Sequence, residues 1–376
     1  MDIITEKEIK KLIISAQHLA GESRTASAEL SDTIRKLGYV QIDTIHVTQR
    51  AHHNVLWTRF PAYNSRMLTE LMAENQVFEY WSHAASILPI ESFKYSLRRK
   101  QNFAWHNKIT DSEEFSQLKK EVYDQICSKG ALSASDFSDK NPSPKEIWSW
   151  KLSRYALEYL FQQGKLMVAR RDKFRKVYDL TERVYPESRD IVSPSPDETA
   201  VYQINQAISA HGAVTKKEIR DYLRFADASS ITKMIEEILK AGMIKQVEYN
   251  GRIYYIAAKT PNNDVFSEKV YILSPFDNFI INRRRILDIF GFDYKLECYL
   301  PAAKRKYGFF SMPLLYKDRF IGLLDAKAKR KNKVLQINNL IKFTKLSNRE
   351  EKLLQSAIED FAAFNNCQTI DLNPHS

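Results

Sequence analysis

An amide and a carboxylate, Gln41 and Asp43, alternate with apolar residues in one short run. If this run is extended, Val40 and Ile42 are predicted to point into the core, while Gln41 and Asp43 share the opposite face. Side by side, such a pair can hold a water molecule between them. The wet face of an edge strand would carry the same residue types, and composition alone favours that ordinary interpretation.

Cationic and imidazole side chains follow the pair within one short stretch: Arg50, His52, His53 and Arg59. Groups of these types contact phosphates, and the two histidines also suit a purely structural role. A zinc site built from His46 and the other histidines is disfavoured, because adjacent histidines face different ways and no cysteine or carboxylate has metal-site spacing. The sequence therefore predicts neither a metal nor another cofactor.

The elements that would position the pair are helical. Amphipathic helices are predicted over Glu6–Leu19 and Ser27–Leu37, and Gly38 ends the second of them. Gln41 and Asp43 are therefore expected directly after a helix-turn element.

The middle of the chain carries the helix, turn, helix, hairpin order of a winged helix. Thr215 opens a short helix through a capping box, and Ser229 or Ser230 caps a second helix that ends at Gly242. An Asn-Gly pair, typical of tight hairpins, joins the two strands that follow. These strands are predicted over Ile244–Tyr249 and Arg252–Ala257.

A weaker copy of the same pattern lies upstream. It has helices at Glu121–Lys129 and Trp148–Gln163, then strands at Leu166–Arg171 and Lys176–Leu180. The Ser-Pro-Ser-Pro motif at 193–196 predicts a linker between the copies. The N-terminal part is interpreted as a third, divergent copy.

The excess positive charge is concentrated near the C-terminus. The chain has 57 Lys and Arg against 46 Asp and Glu, a net charge of +11, and residues 265–345 alone hold 17 against 7, a net of +10. Such a localised basic region favours nucleic acid as the partner. Short β-like runs in this window predict a small barrel-like sheet. They are Lys269–Leu273, Lys295–Leu300, Gly308–Pro313, Arg319–Leu324 and Val334–Asn338.

Two basic clusters within this window are expected to neutralise DNA phosphates without reading sequence. A solvated charged face is the alternative interpretation. The residues are Arg283, Arg284, Arg285, Lys304, Arg305 and Lys306.

The predicted fold class is α+β, with tandem winged-helix motifs followed by a small β-barrel-like domain and a terminal helix. The predicted segments are 1–115 with the polar pair, 116–192 and 193–262 as the second and third winged helices, and 263–376. No stretch reaches the roughly 18 apolar residues of a membrane helix, and the N-terminus lacks a signal-peptide core. Three widely spaced cysteines fit no disulfide framework. A monomeric cytoplasmic protein without membrane contact is expected.

Two blocks of sequence resemble the YcaQ/AlkZ-type DNA glycosylases. The first comprises Leu37-Gly-Tyr-Val-Gln-Ile-Asp-Thr-Ile45, Arg50-Ala-His-His53 and Leu56-Trp-Thr-Arg59. The second comprises Leu273-Ser-Pro-Phe-Asp-Asn278, Arg283–Arg285, Phe290-Gly-Phe-Asp-Tyr294, Glu297 and Pro301–Gly308. One departure is that Leu323 stands where the family pattern Gly-Arg-x-Asp-x-Lys has arginine.

The resemblance implies a Gln-aliphatic-Asp catalytic motif, which is Gln41-Ile42-Asp43 here. It also implies an enzyme that excises N7-alkylated purines from double-stranded DNA and unhooks interstrand crosslinks. The alkylated base leaves as a neutral molecule, so a carboxylate beside the sugar cation and one water suffice. We assign the carboxylate role to Asp43 and water positioning to Gln41. A monofunctional DNA glycosylase that leaves abasic sites is expected.

The alternative is a non-enzymatic winged-helix transcriptional regulator, and a third interpretation is an architectural or RNA-binding protein. Without the resemblance the regulator would rank first, because winged helices more often regulate transcription than catalyse reactions. The outward-facing Gln41 and Asp43 favour the enzyme, since a regulator has no use for that pair.

Overall fold

Helices and a small sheet form the N-terminal part of the chain in a computed structural model. The structure describes residues 2–21, 27–105, 109–137, 144–259 and 266–372. The first elements are β1 (Asp2–Ile3), α1 (Glu6–Ala16), α2 (Ser27–Leu37), β2 (Val40–Gln41), α3 (Ala51–Arg59), α4 (Ser65–Ala73), β3 (Val77–Trp81), β4 (Ala85–Pro89) and α5 (Phe93–Gln101). An antiparallel sheet has the order β2-β4-β3. β1 is not part of this sheet and pairs with a strand near residue 247.

Two further three-stranded units follow, each with helices beside its strands. Their elements are α6 (Glu113–Lys129), β5 (Leu132–Ser133), α7 (Pro144–Gln162), β6 (Leu166–Asp172), β7 (Arg175–Leu180), α8 (Thr181–Val184), α9 (Pro196–His211), β8 (Ala213–Val214), α10 (Lys216–Tyr222), α11 (Ala228–Lys240), β9 (Ile244–Tyr249) and β10 (Arg252–Ala257). The sheet orders are β5-β7-β6 and β8-β10-β9, and β1 extends the second as a parallel edge strand beside β9.

The C-terminal part is one five-stranded sheet with two helices. Its elements are β11 (Val270–Ile272), α12 (Arg283–Phe290), β12 (Met312–Tyr316), β13 (Arg319–Lys329), β14 (Val334–Lys342), α13 (Asn348–Phe364) and β15 (Thr369–Leu372). The strand order runs linearly from β11 to β15, so the predicted barrel is a half-barrel with two edges. The α+β class is confirmed. None of the described helices is long and apolar enough to cross a lipid bilayer.

Local signals place the elements around α10 and α11 as predicted, with two corrections. Asn250 and Gly251 have positive φ angles of 48° and 71°, as a tight hairpin turn requires. The second helix is capped by Asp227, whose carboxylate accepts from the Ser230 N–H at 2.8 Å, and not by Ser229 or Ser230. The Ser-Pro-Ser-Pro motif is no simple linker, because Ser195 caps α9. The winged-helix interpretation and the domain limits stay predictions, and the limit at 262 lies outside the described residues.

A strand predicted over Lys295–Leu300 is absent from the structure, where these residues form a loop and tight turns. The apolar residues that suggested a strand do not alternate between two faces here. Leu296 packs against the core, whereas Tyr299 and Leu300 are both exposed. The prediction of that strand is wrong.

The turn between α2 and β2 depends on a glycine. Gly38 has a φ angle of +73°, which favours glycine, and a Cβ atom there would lie 2.7 Å from Cγ of Gln206 in α9. The Gln206 amide in turn donates to the carbonyls of Arg35 and Lys36 at 3.0 and 3.1 Å, which satisfies the free end of α2. This contact fixes the direction in which the chain enters β2.

Arg59 is buried in the core, so its predicted role in DNA binding is wrong. Its guanidinium makes a bidentate ion pair with Asp277, with both N–O distances 2.7 Å and neither side chain exposed. It also donates to the backbone and side-chain oxygens of Gln17 at 2.8 and 2.9 Å. The pair therefore joins the end of α1 and α3 to the segment after β11. The two sequence blocks that carry the resemblance meet here.

Replacing Arg59 with methionine should lower the free energy of unfolding by about 3–5 kcal/mol, because Asp277 would remain as a buried charge without its partner. Urea unfolding followed by circular dichroism measures the loss. The matched control is Arg66→Met, because the Arg66 side chain is 86% exposed and pairs with Glu70 on the surface. That control should cost at most about 1 kcal/mol. Equal losses for the two variants would contradict the assigned role of Arg59.

Candidate active site

Gln41 lies on the edge strand of the N-terminal sheet. Among the described strands β2 pairs only with β4, where Gln41 is opposite Ser86. The Ile42 N–H donates to the Ala85 carbonyl at 2.8 Å, and beyond this bond the chain leaves the sheet. Asp43 is therefore the first residue of a loop and not part of an extended strand. The regular strand covers only Val40 and Gln41, although Val40 and Ile42 both pack in the same core cluster, as predicted.

Gln41 is not on a wet face, contrary to the ordinary interpretation that composition favours. Its side chain is buried at 7% exposure, and Oε1 lies 2.9 Å from Nε2 of His83. The amide nitrogen of Gln41 has no hydrogen-bond partner among the described residues and is not fully sealed from solvent. This leaves one end of the amide fixed by the protein and the other available to a ligand or water.

His83 lies in the three-residue turn between β3 and β4, and its imidazole is neutral at physiological pH. Burial, reinforced by the charge of Arg224, lowers the pKa of His83 to about 4. The Tyr39 ring meets the imidazole edge-on at 4.9 Å between ring centres. A neutral imidazole that bonds a carbonyl oxygen must carry its proton on Nε2. His83 thus donates to Gln41 and determines which end of the amide is free.

The turn that carries His83 is fastened from two sides. Ser82 Oγ donates to the Tyr222 carbonyl of α10 at 3.1 Å, and Arg99 Nη1 donates to the Ser82 carbonyl at 2.8 Å. Neither α10 nor α5 neighbours β3 in the sequence. Sequence reasoning did not identify His83, although the apolar runs on both sides of Ser82-His83-Ala84 indicate a hairpin.

Asp43 is half-buried and has a free carboxylate oxygen. Oδ1 accepts from the Ile45 N–H at 2.7 Å, which orients the side chain in a tight local turn. Oδ2 has no hydrogen-bond partner, and no lysine, arginine or histidine is within ion-pair distance, among the residues that the structure describes. An oriented carboxylate without a cationic partner is suited to stabilise a positive charge on a bound molecule.

The loop that follows Asp43 is held by the C-terminal half-barrel. Ala328 N–H donates to the Val47 carbonyl at 2.8 Å, and Arg330 donates to the Thr48 carbonyl at 2.6 Å. Gln49 N–H donates to the side chain of Asn365 at 2.7 Å. Asp43 is therefore positioned by residues about 280 positions away, which no local sequence pattern could reveal.

A second loop lies beside the segment that carries Asp43. Leu296 and Phe309, which flank this loop, pack against the same apolar cluster as Ile45 and Val47. Burial and the nearby Asp43 carboxylate raise the pKa of the Cys298 thiol, and the same carboxylate contributes to the raised pKa of Tyr299. We refer to the space between Asp43 and this loop as the cleft. One side of it belongs to the N-terminal part of the chain and the other to the C-terminal part.

His52 is packed inside the protein and His53 is half-buried. His52 is 5% exposed, with its ring stacked near Phe174 at 6.0 Å, so its predicted contact with DNA is wrong. His53 Nδ1 lies 2.6 Å from the Tyr63 hydroxyl, and burial lowers the pKa of His53 to about 4. Arg50 is half-buried, and its guanidinium lies 3.8 Å from the centre of the Phe174 ring. These residues join α3 to the β6–β7 hairpin.

The first basic cluster contributes mainly to structure. Arg285 is buried at 3% exposure and pairs with Glu218 at 3.1 Å, so its predicted contact with phosphate is wrong. Arg283 donates to two backbone carbonyls of its own segment, and burial lowers its pKa. Arg284 is exposed and pairs with Asp288 at 2.9 Å. Of the three, only Arg284 presents its charge to solvent.

The second basic cluster lies on the loop beside the segment that carries Asp43. Lys304 and Lys306 are exposed. Arg305 is half-buried, because its Nε donates to the Leu300 carbonyl at 2.9 Å and its guanidinium lies 4.9 Å from the centre of the Phe309 ring. The two lysines are therefore free to meet an anionic partner beside the cleft.

The departure from the family pattern at Leu323 has a structural explanation. Leu323 is 3% exposed and packs in the apolar core between β13 and its neighbours. Nearby, Asp325 is buried and accepts from the Phe310 N–H at 2.9 Å. At this position the chain therefore has a core residue.

No group of three or more His, Cys, Asp or Glu side chains within the described ranges could hold a metal ion. The three cysteines, Cys127, Cys298 and Cys367, are free thiols.

Comparisons with known proteins identify the family. The family model described as "DNA glycosylase AlkZ-like" matches residues 34–364, which is most of the chain and contains both sides of the cleft. The structure of Streptomyces sahachiroi DNA glycosylase AlkZ is similar, with a TM-score of 0.66 and 15% sequence identity over 99% of each chain. At this identity the likeness establishes the fold. The resemblance noted in the sequence is confirmed: the chain belongs to the AlkZ-like family of DNA glycosylases, enzymes that act on N-glycosyl bonds in DNA.

Proposed function

We propose that this enzyme hydrolyses the N-glycosidic bond of N7-alkylated purines in double-stranded DNA, including those in interstrand crosslinks, and leaves abasic sites. One observation carries the proposal. Asp43 offers a carboxylate that the Ile45 N–H orients and that has no cationic partner among the described residues, two residues from Gln41, whose amide oxygen is held by His83. A positively charged purine needs little more than these two groups for its release.

The chemistry follows from the charge of the damaged base. Alkylation at N7 makes the purine cationic, so the electron pair of the breaking C1′–N9 bond neutralises it, and no general acid is needed. The sugar becomes an oxocarbenium-like cation, which the Asp43 carboxylate stabilises. Asp43 then accepts the proton of the water that attacks C1′. Gln41 positions that water through its amide nitrogen.

A monofunctional reaction is consistent with this scheme, because water and not an amine attacks the sugar. In a crosslink, hydrolysis at one of the two linked purines frees that strand. The three helix-and-hairpin units would grip the phosphates around the lesion as winged helices do. The enzyme would act as a monomer on chromosomal DNA in the cytoplasm.

Replacing Asp43 with asparagine should slow base release at least 100-fold, since the neutral amide neither stabilises a cation nor accepts a proton at neutral pH. The measurement is strand cleavage by alkali after single-turnover reaction with a duplex that carries one N7-methylguanine. Asp371→Asn, on exposed β15, is the matched control and should retain the wild-type rate. If Asp43→Asn releases the base at the wild-type rate, Asp43 has no role in the mechanism. If the wild-type enzyme releases no base from monoadducts or crosslinks, the proposed substrate is wrong.

His83 should act as a positioning residue for Gln41. His83→Ala removes a hydrogen bond worth about 0.5–1.5 kcal/mol, so kcat should fall about two- to tenfold with little change in DNA affinity. His83→Gln can place an N–H near the position of Nε2 and should restore most of the rate. Single-turnover rates measure the loss of catalysis, and separately measured Kd values show whether DNA affinity has changed. Loss of affinity without loss of rate, or no rescue by glutamine, would contradict this role.

Lys304 and Lys306 should contact phosphates beside the cleft. Replacing both with alanine should reduce the slope of log K against log salt concentration by about 2, since each phosphate contact contributes roughly 0.9. Fluorescence anisotropy with a labelled duplex between 50 and 200 mM salt measures the slope. The control variant Lys345→Ala/Lys352→Ala removes the same charge from exposed positions outside this loop. An unchanged slope in the first variant would exclude the two lysines from the interface.

A further inference from the structure

Tyr299 is an aromatic side chain that the fold leaves in solvent. It is 79% exposed, and its neighbour Leu300 is 41% exposed. Among the described residues the only other exposed aromatic is Phe343, at 41%. Two adjacent exposed apolar side chains at the tip of a loop indicate a surface that contacts something apolar.

The loop that presents Tyr299 is rigidly closed at its base. The buried Glu297 carboxylate accepts from the N–H groups of Lys306, Tyr307 and Gly308 at 3.1, 2.7 and 3.2 Å. Although burial alone would raise the pKa of Glu297, these donors bring it below its usual value. The carboxylate therefore stays charged and holds both ends of the loop together.

Hydrogen bonds within the loop fix its tip. Leu300 N–H donates to the Glu297 carbonyl and Lys304 N–H to the Pro301 carbonyl, both at 2.9 Å. Arg305 Nε donates to the Leu300 carbonyl at 2.9 Å. A preorganised loop loses little conformational entropy when it inserts into a partner.

The location of the loop indicates the partner. Leu296 and Phe309, which flank the loop, pack against the same apolar cluster as Ile45 and Val47 just after Asp43, and the exposed Lys304 and Lys306 lie on the same loop. An apolar tip flanked by two lysines, beside the carboxylate proposed to act in base release, matches what a duplex offers, namely base faces between rows of phosphates. Side chains of this kind insert between base steps in other DNA-bending proteins.

We propose that residues 298–306 form a wedge in which Tyr299 stacks on a base next to the lesion while the loop lysines hold the flanking phosphates. This proposal rests on the proposed function, because it places the lesion at Asp43. Stacking on the neighbouring base would hold the damaged step open and expose C1′ to water. A lesion that cannot rotate out of the helix, such as a crosslinked purine, would gain most from a step opened in this way.

The test uses a duplex with a tetrahydrofuran abasic-site analogue and the fluorescent base 2-aminopurine beside it. Anisotropy gives Kd, and the 2-aminopurine signal reports stacking. Tyr299→Ala should bind this duplex about tenfold more weakly, within the range measured for loss of one base–aromatic stack, and should lose the change in 2-aminopurine fluorescence. Tyr299→Phe should behave as wild type. Phe343→Ala is the control for loss of an exposed aromatic and should also match wild type.

The salt dependence of DNA affinity distinguishes stacking by Tyr299 from the phosphate contacts of the lysines. Tyr299→Ala should keep the wild-type slope of log K against log salt, because it removes no charge. Equal Kd values and equal fluorescence changes for Tyr299→Ala and wild type would overturn the wedge, even if base release from N7-methylguanine is intact. If wild type releases no base from the alkylated duplex, the proposed function fails instead, so the two failures are distinguishable. Because Tyr299 is exposed, its substitution should leave the melting temperature unchanged.

Discussion

The buried ion pair between Arg59 and Asp277 is the contact on which the arrangement of the site depends. It joins α3, which follows the Asp43 loop, to the segment after β11. The next residue, Asn278, donates to the Tyr39 carbonyl at 2.9 Å, just before Gln41. One short segment of the C-terminal part therefore anchors the chain on both sides of the candidate catalytic residues. A pair so fully desolvated is costly unless its geometry is good, and here it is bidentate.

Two different parts of the fold hold the site residues in place. A helix-and-hairpin unit supplies Gln41, and the turn that carries His83 fixes the orientation of its amide. The half-barrel holds the loop after Asp43 through Ala328 and Arg330. Neither part alone would complete the cleft. Asp43 follows directly after the N-terminal sheet, and the loop after Asp43 is held by the half-barrel. In the proposed mechanism, groups placed in this way need little reorganisation when charge develops on the sugar.

Sequence reasoning succeeded where the signals are local. The capping box at Thr215, the stop glycine Gly242 and the Asn-Gly turn predicted α10, α11 and the hairpin that follows them. It could not predict burial that depends on distant partners. Arg59 and Arg285 are residues of the type that binds DNA, yet both are buried, where they pair with Asp277 and Glu218. His83 was missed for the same reason, since its role exists only once β2 pairs with β4.

The first strand of the chain has a consequence for how the enzyme is made. β1 pairs in parallel with β9, so Asp2 and Ile3 find their partners at Val247 and Glu248. Arg59 likewise cannot form its ion pair until Asp277 has been synthesised. During synthesis the N-terminal residues therefore leave the ribosome long before their partners exist, and contacts of such sequence separation form slowly. The cleft around Asp43 closes only after most of the chain has been made, so a truncated nascent chain has no assembled site with which to act on DNA.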